Sequence, residues 1–187
     1  MDAVARIHQA LSRSELQLSE LTARRLGAFL GKTTSVVYHR WGCLDGLLYA
    51  VAQRGFGELG EGLAVALQRS GPGGLAEAYV GFGLDKRVLY SLMFDRVYDW
   101  DALRKAGEFD TAQPSIQLWD ASIAMMASGG SAEPETDARL LFATLHGIVS
   151  LAASGRANVG ELSSSDRDVA LRLARRAVAH LLPLEMT

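Results

Sequence analysis

Apolar residues recur at spacings of three and four along nearly the whole chain, and no sustained stretch alternates polar with apolar residues. Spacings of three and four place apolar side chains on one face of an α-helix, whereas alternation would indicate strands. The chain is 49% hydrophobic and 21% charged, which allows a buried core and argues against disorder. The pattern therefore predicts an all-α protein.

Turn-forming residues divide this pattern into individual helices. Gly31 and Gly42 are expected to end the second and third helices, and Thr33 to cap the third. The sequence SGPGG at 70–74 is the clearest interruption in the chain. We expect helices at Ala3–Ser12, from about Thr22 to Gly31, from Thr33 to Gly42, from about Leu44 to Leu67, and near 75–84, 86–94, 114–128, 135–155 and 165–182.

Several features bear on the cellular compartment. Cys43 is the single cysteine, so no internal disulfide can form and a reducing cytoplasm is the expected setting. The first residues carry charges throughout and lack the apolar run of a signal peptide. No window reaches the roughly 18 apolar residues that a membrane span needs. These features predict a cytoplasmic protein that does not bind a membrane.

Motifs that would indicate enzyme chemistry are weak. The sequence GFGELG at Gly55–Gly60 matches a dinucleotide-binding fingerprint literally, but helical periodicity precedes it where a strand is required. The four histidines show no ligand spacing with one another or with Cys43. Cys43 follows His39 by one helical turn, but no acid nearby would orient such a pair. We therefore expect no catalytic residue, no metal and no cofactor.

The segment Leu21–Gly42 contains two short amphipathic helices joined by a three-residue turn. Short polar and aromatic side chains lie on its expected outer face, and such side chains can reach base edges and phosphates. Residues 1–46 carry a net charge of +2, and the remaining residues carry −4. The pattern alone fits either a DNA-reading helix-turn-helix or a helical hairpin whose polar face meets water. In both, the inward residues are Leu26, Phe29, Leu30, Val37 and Trp41.

This segment resembles the N-terminal DNA-binding region of the TetR-type transcriptional repressors. That family shows Thr–x–Arg–x–Leu, Leu–Gly, Leu–Tyr–x–His–Phe and Lys–x–x–Leu–Leu, which correspond here to Thr22–Leu26, Leu30–Gly31, Val37–Trp41 and Leu44–Leu48. The sequences VLYSLMF (88–94) and LHGIVSL (145–151) resemble segments of that family's ligand-binding domains. The resemblance implies a three-helix helix-turn-helix DNA-binding domain at 1–46 and a helical ligand-binding and dimerisation domain at 47–187.

The resemblance also implies which side chains meet double-stranded DNA. They are Thr22, Arg24, Lys32, Thr33, Thr34, Ser35, Tyr38, His39 and Arg40. Three features depart from the family pattern. Leu44 replaces the usual lysine at the start of the fourth helix and removes a phosphate contact, Lys32 replaces the usual small apolar residue of the turn, and the glycine usually found between the first and second helices is missing. Lys32, in the turn, partly restores that charge. We therefore expect weaker non-specific affinity with the same docking on DNA.

Aromatic and thioether side chains of the later helices predict an apolar pocket for a small effector. The same residues would also suit an ordinary helical core, and this alternative stays open. The candidates are Phe82, Tyr90, Met93, Phe94, Trp119, Met126, Phe142 and His146. The last two predicted helices are apolar around much of their circumference, and the resemblance implies a homodimer through them.

Together these features predict a transcriptional repressor that responds to a small ligand. It would bind a palindromic DNA operator as a homodimer, and a small apolar or aromatic effector would release it. The alternative is a helical ligand-binding or interaction protein that has lost specific DNA binding, for which Leu44 is the evidence.

Overall fold

The computed structural model describes residues 2–107, 113–160 and 163–182, and these residues form helices with no strand among them. A short 3-10 helix, Leu18–Glu20, precedes the second α-helix. The predicted all-α class is confirmed. The α-helices are α1 (Ala3–Ser12), α2 (Ala23–Leu30), α3 (Thr34–Trp41), α4 (Leu44–Asp85), α5 (Arg87–Phe94), α6 (Trp100–Ala106), α7 (Pro114–Ser128), α8 (Pro134–Ala153) and α9 (Asp166–Leu181).

Helices end at residues with the expected capping chemistry. Gly31 ends α2 in the left-handed conformation (φ 67°, ψ 32°), and Gly42 follows α3 with φ 68°. Ser165 is the N-cap of α9, and its side chain accepts a hydrogen bond from the Asp168 N–H. The predicted bounds of α1 and the predicted ends of α2 and α3 are therefore confirmed.

The backbone of α4 is interrupted at Gly71. Its φ of 61° and ψ of −156° lie in a region that is open essentially to glycine alone. Pro72 follows and has no N–H to donate to the helix ladder. The predicted interruption at 70–74 is confirmed, while helical backbone resumes after it and continues to Asp85.

One helix, α6, has no counterpart in the predicted pattern. The Asp99 carboxylate caps it by accepting from the N–H groups of Asp101 (3.1 Å) and Ala102 (2.9 Å). Gly107 ends it in the left-handed conformation, with φ 76° and ψ 19°. Leu103 of this helix is fully buried. Seven residues are too few for periodicity to reveal, although the flanking aspartate and glycine are recognisable helix-end signals.

The chain forms two compact units. The first comprises Met1–Glu58 with Lys86–Ile116, and the second comprises Leu59–Asp85 with Gln117–Thr187. This division rests on contacts and not on function. The boundary between a DNA-binding domain and a ligand-binding domain at residue 46 therefore stays a prediction.

Leucine dominates the core of the first unit. Of the residues expected to face inward in α2 and α3, Leu26, Leu30, Val37 and Trp41 are buried and Phe29 is half-buried. Removing one leucine side chain from water contributes about 2 kcal/mol to stability. Completely buried side chains in this unit include Ile7, Leu11, Leu26, Leu47, Leu48, Val51, Leu89, Leu92 and Leu103.

In the second unit α8 packs along α9. The buried face of α8 includes Leu141, Leu145 and Val149, and that of α9 includes Val169 and Val178. Small residues such as Ala170 and Ala174 lie on the same face of α9 and permit a close approach of the two helices.

Two exposed ion pairs join α9 to the second part of α4 within this unit. Arg167 Nη1 lies 2.6 Å from Asp85 Oδ1, and Arg175 Nη2 lies 2.7 Å from Glu77 Oε1. Exposed pairs of this kind contribute little to stability, so they mainly orient α9.

Candidate nucleic-acid interface

The entry to the helix-turn-helix is held by polar side chains at the start of α2. Thr22 Oγ1 accepts a hydrogen bond from the Arg25 N–H at 3.2 Å. The Glu20 carboxylate accepts from the Gln17 N–H and pairs with the Arg25 guanidinium, and these interactions lower the pKa of Glu20. Arg25 is therefore engaged within the protein. Arg24, its neighbour, is exposed.

The turn between α2 and α3 is packed backbone against backbone. The Lys32 N–H donates to the Gly27 carbonyl oxygen at 2.8 Å, and the Gly31 N–H donates to the Ala28 carbonyl oxygen at 3.1 Å. A Cβ on Gly27 would come within 3.0 Å of the Lys32 carbonyl oxygen. Gly27 therefore sets how closely the chain returns over α2, and with it the angle at which α3 leaves the turn.

Helix α3 buries one face and exposes the other. Val37 is 1% exposed and Trp41 is 6% exposed, whereas Tyr38 is 54% exposed. Thr33 is the N-cap by its backbone, and no capping hydrogen bond of its side chain is seen within the described residues. The Val36 N–H donates to the Thr33 carbonyl oxygen at 3.2 Å, so of the first-turn N–H groups those of Thr34 and Ser35 are open to an external acceptor. All nine predicted DNA-contacting side chains are exposed: Thr22, Arg24, Lys32, Thr33, Thr34, Ser35, Tyr38, His39 and Arg40.

Arg40 makes two contacts within the protein. Its Nη2 lies 3.2 Å from Asp2 Oδ1, and its guanidinium lies 5.0 Å from the centre of the Trp41 ring. The Arg40 side chain is still 62% exposed. In an exposed pair of this kind the aspartate can be exchanged for a phosphate at small cost.

Arg6 has a role in this region that periodicity and resemblance do not reveal. Its Nη1 donates to the Leu30 carbonyl oxygen (3.2 Å) and its Nη2 to the Phe29 carbonyl oxygen (3.0 Å). The guanidinium also lies 5.4 Å from the centre of the Phe29 ring. Arg6 therefore caps the carboxyl end of α2 from α1, and its charge serves the fold. In the described part of the chain, Arg24 and Lys32 make no ion pair.

Three of the predicted effector-contacting residues lie on α5, in the first unit. Tyr90 and Met93 are buried, and Phe94 is half-buried. The Tyr90 and Phe94 rings are 4.6 Å apart, and Phe94 also meets Phe56 of α4 at 5.1 Å. A Cβ on Gly55 would come within 2.6 Å of Met93 Sδ, so this glycine lets α5 approach α4 closely. These residues form an aromatic and thioether cluster.

The other five predicted effector-contacting residues lie in the second unit. Phe142 and His146 are stacked with their ring centres 5.9 Å apart, and Phe142 is 41% exposed. Trp119 is half-buried beneath the Arg139 guanidinium, 5.2 Å from its ring centre. Met126 is buried and Phe82 is half-buried.

Concave regions in the described part of the second unit include a groove and a smaller cavity. A groove of about 670 Å³ runs between α8 and α9 and is lined by residues such as Ile148, Leu173 and His180. A cavity of about 250 Å³ lies at the turn between α7 and α8, beside Met126 and Asp137. Of the eight predicted effector residues, Met126 alone lines either region among the described residues, so the effector site stays a prediction.

Among residues 2–107, 113–160 and 163–182, no three His, Cys, Asp or Glu side chains lie close enough together to hold a metal ion. Over the same residues, every helix is either too short or too polar to cross a lipid bilayer.

Known proteins resemble this chain in part of its sequence and in its fold. No curated protein matches the chain. The solved structure of a protein with unknown function from Rhodococcus sp. RHA1 is similar, with a TM-score of 0.66 and 24% identity over 97% of this chain and 96% of that one. This likeness supports the fold. The family model described as the tetracyclin repressor-like C-terminal domain matches residues 74–181. Because that match covers more than half of the chain, the protein belongs to the family of tetracyclin repressor-like, or TetR-type, regulators.

Proposed function

We propose that this TetR-type regulator is a transcriptional repressor that binds a palindromic DNA operator as a homodimer and is released by a small apolar or aromatic effector. The observation that carries the proposal is the helix-turn-helix of α2 and α3. Its apolar side chains Leu26, Leu30, Val37 and Trp41 are buried, and its nine candidate DNA-contacting side chains are all exposed.

The start of α3 supports base reading. Thr34 and Ser35 are short, exposed side chains in its first turn, and Tyr38 lies one turn further along the same exposed face. Short polar side chains bring the helix close to base edges in the major groove, and a tyrosine hydroxyl reaches the phosphates beside it. Arg24 and Lys32 add exposed positive charges before and within the turn.

The exposed faces of α8 and α9 support the homodimer. Leu140 and Leu151 of α8 are 50% and 48% exposed, and Leu173 of α9 is 43% exposed. Along α8, Thr144 and Gly147 lie between the two leucines on the same stripe, because spacings of three and four stay on one helical face. A second copy related by two-fold symmetry would cover this stripe and form a four-helix bundle.

Two-fold symmetry links the dimer to the operator. Two copies of α3 would read half-sites about 34–36 Å apart, or one turn of DNA, so the operator should be palindromic. An effector that favours a conformation with a different separation would release the DNA by shifting the population of the two states.

A second candidate function follows from one observation. Leu44 is half-buried at the start of α4, where the family usually has a phosphate-binding lysine. Loss of that contact favours a helical ligand-binding or interaction protein without specific DNA binding.

Selection of duplexes from a random DNA pool at low salt separates the two functions. Low salt is needed because phosphate contacts dominate affinity and are screened by ions. The repressor is supported by a palindromic consensus whose binding is weakened about tenfold or more by Arg24→Ala and Tyr38→Phe. Arg13→Ala is the matched control, since Arg13 is exposed, lies at the end of α1 and belongs to no predicted contact set. Absence of any enriched sequence would favour the second function.

A further inference from the structure

We propose that Asp45 and Arg96 are positioning residues for the recognition helix α3, although neither is among the nine residues predicted to contact DNA. Arg96 Nη2 lies 2.6 Å from Asp45 Oδ1, across 51 positions of sequence. The Asp99 N–H donates to the other carboxylate oxygen, Asp45 Oδ2, at 2.8 Å. One carboxylate at the start of α4 thus holds both ends of the segment 96–99, which joins α5 to α6. For its effect on DNA binding, the inference rests on the proposed function.

The Asp45–Arg96 ion pair is largely shielded from solvent. The Asp45 side chain is 16% exposed and the Arg96 side chain is 28% exposed. Charged hydrogen bonds in such places are stronger than those between exposed side chains, and removal of one partner leaves the other charge poorly solvated. Arg96 also lies with its guanidinium 5.6 Å from the centre of the Tyr98 ring.

The segment 96–99 is itself held to the neighbouring helices. The buried Tyr98 hydroxyl donates to the Leu92 carbonyl oxygen of α5 at 3.0 Å, and burial raises the pKa of this phenol. The Tyr98 ring meets the Tyr49 ring edge-on, with centres 5.5 Å apart. Since Tyr49 lies one turn after Asp45 on α4, two successive turns of α4 grip the same segment.

A rigid junction connects Asp45 to the recognition helix. Gly42, at φ 68°, reverses the chain after α3, and the Cys43 N–H donates to the Trp41 carbonyl oxygen at 2.6 Å. A Cβ on Gly46 would come within 2.2 Å of that same carbonyl oxygen. The first turn of α4 is therefore in backbone contact with the last turn of α3. Because only three residues separate Trp41 from Asp45, we expect a displacement of Asp45 to reach Trp41.

The two charges give the inference a sharp test, because they have opposite signs. If the pair acted on DNA through charge alone, Asp45→Asn would strengthen binding and Arg96→Gln would weaken it. If the pair positions α3, both variants lower affinity for the selected operator, each by about tenfold, and the double variant is no weaker than the weaker single variant. Affinity for a duplex of scrambled sequence then changes only with the charge of the variant. The ratio of the affinity for the selected operator to the affinity for the scrambled duplex therefore falls.

Hydrogen exchange of the protein without DNA provides an independent measurement. We expect both variants to accelerate amide exchange in residues 34–41 while exchange within α1 stays unchanged. Arg96→Lys keeps the positive charge, so it should retain most of the protection of residues 34–41 against amide exchange. This variant also keeps the inference testable if Asp45→Asn fails to fold. The matched control is Asp101→Asn with Arg104→Gln, an exposed ion pair on α6 with the same charges.

Two results would overturn the inference. One is a shift of operator affinity in opposite directions by the two single variants, and the other is unchanged exchange in residues 34–41. Failure of the wild-type protein to select any duplex would instead contradict the proposed function, while the exchange measurement would still decide whether Asp45 and Arg96 hold α3.

Discussion

The imidazole Nε2 of His8 lies 3.1 Å from the carboxylate Oε2 of Glu58, and both atoms are buried. His8 belongs to α1 and Glu58 to α4, and Glu58 also pairs with Lys86 just before α5. Burial lowers the pKa of His8, with Arg54 and Lys86 adding to the effect and Glu58 opposing it. His8 is therefore neutral in the folded protein near neutral pH.

This arrangement predicts a pH-dependent stability. Because burial lowers the pKa of folded His8 below its ordinary value of 6.5, the unfolded chain takes up a proton that the folded chain does not. The contribution of neutral His8 to the free energy of unfolding is fully present above pH 6.5 and decreases as the pH falls from there toward the pKa of His8 in the folded protein. His8→Gln removes this titration and should flatten the curve below pH 6.5, as urea unfolding at several pH values would measure.

The control for this prediction is His39→Gln, which removes an exposed histidine from the same unit. It should keep the wild-type pH dependence. A His8→Gln variant that retains the wild-type slope would show that the titration belongs to another group.

Because α4 approaches α3 closely at Gly46, no side chain fits at this position without a shift of the backbone. Gly46→Ala would bring a Cβ to within 2.2 Å of the Trp41 carbonyl oxygen, so the junction must shift. We expect a loss of about 1–3 kcal/mol in the free energy of unfolding. Gly62→Ala, also in α4, is the matched control because nothing lies within 4 Å of its Cβ position. It should stabilise the protein by up to about 1 kcal/mol, and equal effects of the two changes would contradict the packing argument.

The capping of α2 by Arg6 predicts a loss of stability when the guanidinium is removed. Arg6→Met deletes the donors to the Leu30 and Phe29 carbonyl oxygens while it keeps much of the side-chain volume. The expected cost is about 1–3 kcal/mol in chemical unfolding. Arg13→Met, at an arginine that is 62% exposed and 3.8 Å from Glu15, should change stability by less than about 0.5 kcal/mol. Equal losses in both variants would argue against a specific cap.

The exposed leucines of α8 and α9 predict a change of oligomeric state. Leu173→Glu places a charge on the stripe that the proposed dimer buries, and it should weaken dimerisation at least about tenfold in sedimentation experiments. Val97→Glu introduces the same charge at a side chain that is 90% exposed in the first unit, and it should leave the dimer intact. A wild-type monomer at micromolar concentration, or a Leu173→Glu dimer of unchanged affinity, would contradict the proposed interface.

Helix positions in this chain follow closely from local sequence. The bounds of α1, the stop at Gly31 and the interruption at 70–74 are all readable, because capping and left-handed glycine depend on a few neighbouring residues. The exposed face of α3 can also be predicted locally, because helical periodicity places Val37 and Trp41 on one face and Tyr38 on the other. Helix α6 is not readable from periodicity, because its seven residues span only about two turns.

The sequence by itself therefore determined the all-α class, most helix ends and which side chains of the helix-turn-helix face outward. Tertiary structure alone decided three contacts. Arg6 caps α2, His8 lies against Glu58, and Asp45 binds the segment 96–99. Periodicity reports which face of a helix is buried but not which distant residue lies against it. Partners 50 or so positions apart meet only when the packing of the core brings their helices together.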